Sequence, residues 1–67
     1  MDFEALAQQV ADFVAVGKYH AALNVALSGV NACHREGDRD GVVRCLGLIR
    51  STVDALERNV LVDDPAG

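Results

Sequence analysis

The sequence predicts an all-α fold, an antiparallel three-helix unit in which the second helix is central. Three observations lead there. Apolar residues recur at spacings of three and four through three successive stretches, as in helices with one face turned inward. Gly17 and Gly37 punctuate those stretches, as helix-breaking residues should. Although 51% of the 67 residues are hydrophobic, the aromatic ones are two Phe and one Tyr, with no Trp. The core must therefore be built from Ala, Val and Leu, which suits closely packed helices. The expected helices cover residues about 2–16, 18–36 and 38–59, within a single domain of 1–62 followed by a mobile tail of 63–67.

In the first helix Phe3, Leu6, Val10, Phe13 and Val14 make the apolar stripe with Ala7 beside it, while Glu4, Gln8, Gln9 and Asp12 face water. Asp2 can accept hydrogen bonds from the first free backbone amides, and Glu4 suits the positive end of the helix dipole. Gly17 ends this helix and the next begins almost at once. So short a link makes the two antiparallel neighbours.

The second helix has three faces. His20, Asn24, Ser28, Asn31 and Arg35 form a narrow polar stripe. Tyr19, Leu23, Ala26, Leu27, Val30 and Cys33 form a broad apolar face, and Ala21, Val25, Gly29 and Ala32 a face of mostly small side chains. A helix apolar over most of its circumference is usually covered on two sides. Gly29 costs about 1 kcal/mol relative to Ala inside a helix, and close approach of a neighbour is the reason to keep it. Gly37 then suits a left-handed cap and Asp38 an N-cap for the third helix.

In the third helix Val42, Cys45, Leu46, Ile49, Val53, Leu56 and Val60 are expected to face the core. Arg50, Asp54 and Arg58 stand four apart as a ladder of exposed ion pairs, and Asn59 suits a C-cap. Val43 and Leu48 project onto the polar side, Leu48 among Ser51, Thr52 and Ala55. With the cluster Val60, Leu61 and Val62, they are apolar residues without a core to join. A contiguous patch of such residues marks an interface. Val43, Leu48, Val60, Leu61 and Val62 are therefore the expected partner contacts.

Around the second helix Gly17, Tyr19, Ala22 and Leu23 spell G-x-Y-x-x-A-L, which resembles the start of the second helix of a tetratricopeptide repeat. Gly37, Asp38, Arg39, Gly41, Leu46 and Ile49 look like the start of the next repeat's first helix. The resemblance runs from about Phe3 to Leu56, one and a half units. It implies tetratricopeptide-like packing and a protein-binding surface instead of an active site.

Reactive constellations are missing. Cys33 and His34 are adjacent, hence about 100° apart on a helix, and there is no C-x-x-C or H-x-x-x-H spacing for a metal. His34 falls between Leu23, Leu27 and Val30 and is expected to be partly buried, without a catalytic partner. Asp38 with Asp40 and Asp63 with Asp64 lack the apolar setting that raises a carboxyl pKa for acid catalysis. No glycine-rich phosphate loop is present. Cys33 lies four residues before the turn and Cys45 eight after it, a stagger that favours two buried thiols over a disulfide. No enzymatic activity, cofactor or metal is expected.

The net charge of −4 argues against nucleic-acid and anionic-membrane partners, which basic patches serve. No apolar run approaches the roughly 18 residues that span a bilayer. The opening MDFEALAQQ lacks the basic-then-apolar order of a secretory signal, so the expected location is the cytoplasm. A chain this short buries only about 60% of its unfolded surface, which makes a second copy a natural source of stability. The expected role is a non-catalytic protein–protein interaction module, adaptor-like or regulatory, acting as a homo-oligomer, most simply a dimer. The alternative is a small acidic inhibitor that binds and blocks one enzyme or transcription factor.

Overall fold

The computed structural model describes residues 2–62, with side chains through residue 60. Residues 63–67, expected from the sequence to be a mobile tail, lie outside the described residues. The chain forms three helices, α1 (Phe3–Ala15), α2 (Tyr19–Glu36) and α3 (Arg39–Val62). α2 packs against both others, and the contact between α1 and α3 is the smallest of the three. The all-α three-helix unit with a central second helix is thus the observed architecture.

The local chemistry explains where helices start and stop. The Asp2 carboxylate accepts from the Glu4 and Ala5 amides at 3.1 and 3.3 Å, which satisfies donors that the first turn leaves free. Gly17 takes a left-handed conformation at φ 78°. That turn lets the Lys18 and Gly17 amides donate back to the Phe13 and Val14 carbonyls at 2.8 and 3.0 Å. Gly37, at φ 73°, repeats the arrangement after α2, with the Asp38 amide donating to the Cys33 carbonyl at 2.9 Å. Asp38 then caps α3, its Oδ1 accepting from the Gly41 amide at 3.0 Å.

The third helix departs from expectation at its end. It runs through Asn59 to Val62 instead of stopping there. Val60 to Val62 are not helix breakers, and the first proline is Pro65, so nothing ends the helix at Asn59. The ladder of charges also has a single rung among the described residues, Arg58 to Asp54 at 3.2 Å. Arg50 does not join it.

Two close approaches set the register between α2 and α3. A Cβ placed on Gly29 would lie 2.8 Å from the Cys45 sulfur and 2.9 Å from a Leu6 methyl. A Cβ on Gly41 would lie 2.6 Å from the Cys33 sulfur. Gly29 and Cys45 stand eight residues either side of Gly37, and Cys33 and Gly41 four. Each glycine therefore makes room for a cysteine of the other helix, in one antiparallel register centred on the turn. The same register sets Ala26 opposite Leu48 and Ala22 opposite Thr52. The line of α2 that meets α3 is accordingly Ala22, Ala26, Gly29 and Cys33, all buried. Small residues bring the two axes close, and the α2–α3 contact is the largest of the three between helices.

That line corrects the reading of α3. Its inward face is centred on Gly41, Cys45 and Thr52, all buried. Leu48, expected on the polar side, packs instead against the buried Val10, Ala22 and Ala26. Thr52, expected at the surface, is 1% exposed, and its hydroxyl donates to the Leu48 carbonyl at 2.8 Å. The polar group is satisfied inside its own helix, so burial leaves no unpaired donor. Leu46, Val53 and Val60, expected inside, are exposed. His34, expected to be partly buried, is exposed as well. α1 behaves as expected: Val10 is buried, and Phe3, Leu6, Ala7, Phe13 and Val14 are half-buried around it.

Candidate interaction surface

α1 covers one side of the α2–α3 pair. Val10 and Val14 of α1 share a cleft of about 180 Å³ with Leu48, Ser51 and Thr52 of α3. Near the other end the Arg44 guanidinium lies over the Phe3 ring, 5.6 Å from its centroid, a cation–π contact. On α2, Val25 packs on the same side, against the cluster containing Val10. These contacts run in the same direction along α1 and α3, so the two helices are parallel.

The opposite side of the α2–α3 pair has no such cover among the described residues. At about 100° per residue, the positions turned away from α1 are Leu23, Leu27 and Val30 on α2 and Leu46, Val53 and Val60 on α3. Leu27 and Leu46 are each 49% exposed, Val53 37% and Val60 59%. Leu23, Val30, Ile49 and Leu56 are half-buried along the same flank. Single exposed apolar residues are ordinary on protein surfaces; a row of them on two adjacent helices forms a patch.

The partner contacts expected from sequence fall in different places. Val43, 67% exposed, sits on the outer surface of α3. It borders one hollow of about 280 Å³ with Leu46 and Arg50, and another of about 390 Å³ with His34 and Arg39. Val60 stands on the exposed flank, one heptad beyond Val53. Leu48 is not on this surface, because it faces α1. The backbone of Leu61 and Val62 continues α3, and their side chains lie outside the described residues. Sequence reasoning misses Leu27, Leu46 and Val53, which it assigns to the core. The signal that separates them is the line of small residues: Gly41, Cys45 and Thr52 mark where α3 meets α2, and Leu46 and Val53 lie well round the helix from that line.

Charge frames the flank. Arg50 and Glu57 are exposed beside Leu46, Val53 and Val60, and neither has an ion-pair partner among the described residues. Asp54 lies further round and is already paired with Arg58.

The remaining polar chemistry is closed in. Cys33 and Cys45 are fully buried thiols, not joined as a disulfide. Burial pushes the Cys45 thiol above its ordinary range, and the Cys33 thiol, with which it shares a hydrogen bond, and the Asp38 carboxylate push it the same way. A thiol held in its protonated form is a poor nucleophile. Among the described residues no group of three or more His, Cys, Asp or Glu side chains is placed to hold a metal ion. Nor is any helix among them long and apolar enough to cross a membrane. What this arrangement can do is bury apolar surface against another molecule. No family model, curated protein or solved structure matches the chain.

Proposed function

We propose that the chain is a non-catalytic protein–protein interaction module, adaptor-like or regulatory, that acts by assembling with a second copy of itself. The observation that carries this reading is the row of exposed apolar side chains on α2 and α3, on the side that α1 leaves bare. Each Å² of apolar surface withdrawn from water contributes about 25 cal/mol, so a continuous row is a stronger driving force than scattered residues. The short chain adds to it, since a unit of this size gains proportionally more from an added interface than a large domain does. The resemblance of the Gly17 to Leu23 segment to tetratricopeptide hairpins points toward binding as well. The cytoplasm is the compartment in which reduced, buried thiols such as Cys33 and Cys45 are ordinary.

Sedimentation velocity and light scattering from micromolar to near-millimolar concentration test the reading. The expected result is a concentration-dependent dimer. A monomer throughout this range removes the self-assembly claim. It would leave the apolar flank to a different protein, as in the small acidic inhibitor reading.

A further inference from the structure

Five exposed residues on one flank of α3, Leu46, Arg50, Val53, Glu57 and Val60, are arranged nearly symmetrically about one point. Leu46, Val53 and Val60 are spaced by seven, so Val53 is the midpoint of an apolar row. Arg50 stands three residues before Val53 and Glu57 four after it, opposite charges either side of the same midpoint. Both charges are without an ion-pair partner among the described residues, although Asp54 lies one turn from Arg50. A surface that carries apolar residues and opposite charges symmetrically about a point is complementary to its own twofold-rotated copy, which is what an isologous dimer contact requires.

Resting on the self-assembly reading above, we infer that the second copy docks with its α3 antiparallel to the first, about a twofold axis passing beside Val53. Leu46 of each chain then meets Val60 of the other, Val53 meets its own symmetry mate, and Arg50 and Glu57 form two ion pairs between the chains. The centres of the apolar row and of the charge pair differ by half a residue, about 0.75 Å along a helix, well within the reach of an arginine. Near the axis Asp54 brings no net charge, because Arg58 neutralises it within its own chain. Leu27 of α2 lies at the margin of this contact.

The overhang of α3 fits the same arrangement. The register about Gly37 sets Tyr19, the first residue of α2, opposite Ala55. The remaining seven residues of α3 run past the start of α2, about 10 Å of helix. In the dimer that overhanging segment lies along the other chain's Leu46. Parallel pairing would instead place Arg50 beside Arg50 and Glu57 beside Glu57.

Charge reversal tests the register. Arg50→Glu alone gives a chain with two acidic residues in the row, and Glu57→Arg alone a chain with two basic ones. Each is expected to weaken self-association at least about tenfold, because two attractive pairs become repulsive. Mixing the two variants is expected to restore assembly as a heterodimer, and the double variant R50E/E57R to restore the homodimer. Circular dichroism confirms that each variant remains helical, as expected for exposed positions. Single reversals that leave the dissociation constant within about twofold of wild type, or a mixture no tighter than either variant alone, overturn this docking geometry while the self-assembly reading stands. A wild-type chain that is monomeric throughout overturns both.

Discussion

The inward face of α3 mixes small residues with large apolar ones, whereas its open flank carries a row of large apolar residues in water. The face against α2 runs through Gly41, Cys45 and Thr52, all buried, with Leu48 between them packed against Val10, Ala22 and Ala26. The stripe on the open flank runs through Leu46, Val53 and Val60, all exposed. Hydrophobicity alone therefore does not choose the inward face, since both faces carry large apolar residues; the small residues at the two closest approaches do. Gly41 and Cys45 let the α3 backbone settle against the small line Ala22, Ala26, Gly29 and Cys33 of α2, and that register turns Leu46, Val53 and Val60 outward. The row Leu46, Val53 and Val60 is left in water, where the proposed second copy would cover it.

Breaking the inner stripe has the largest expected effect. A Cβ on Gly41 would lie 2.5 Å from the Asp38 carboxylate and 2.6 Å from the Cys33 sulfur. Gly41→Ala therefore strikes the cap of α3 and the tightest point of the α2–α3 contact together. Overpacking of about 1–3 kcal/mol and disturbance of a cap contributing about 1 kcal/mol outweigh the roughly 1 kcal/mol that alanine adds to helix propensity. A net loss of about 2 kcal/mol is expected, read as a lower urea midpoint at an unchanged slope.

The next effect sets the two flanks of α3 against each other. Leu48→Glu puts a carboxylate against Val10, Ala22 and Ala26 and is expected to cost the fold about 2–4 kcal/mol. Leu46→Glu, two residues away on the exposed flank, is expected to change the stability of the isolated chain by about 0.5 kcal/mol or less. The same change should abolish self-association. Chemical denaturation at low protein concentration and light scattering at high concentration separate the two outcomes. If both variants unfold alike, the flanks are not distinct surfaces.

This contrast also shows what is legible in the sequence. The helices, the caps at Asp2 and Asp38 and the left-handed turns at Gly17 and Gly37 arise from local chemistry, and local chemistry is written in neighbouring residues. The inward face of α1 is legible too, because its apolar residues form one stripe. α3 has apolar residues over a wider arc, and periodicity alone cannot say which part of a wide arc turns inward. That depends on the partner helix, specifically on Gly29 and Gly41 and on the sulfurs that fill the space beside them. Val43 is exposed, as its place on the polar side implies. Leu48, by contrast, exchanges places with Leu46 and Val53, because the true inward face is rotated from the one that periodicity suggests.

The smallest expected effect concerns a second glycine of α3. Gly47 sits six residues beyond Gly41 on the outer side of the helix, and a Cβ there would meet nothing within 4 Å. Its backbone is helical and its φ is not positive, so alanine fits without strain. Gly47→Ala is expected to stabilise the chain by about 0.5–1 kcal/mol, through helix propensity and a less flexible unfolded chain. For a unit of this size that raises the melting temperature by several degrees. The two glycines of one helix should thus respond to the same substitution with opposite signs. A loss of stability at Gly47 would mean that the outer surface of α3 is already covered, and dilution would decide whether a second chain is the cover, since the loss should disappear as the dimer dissociates.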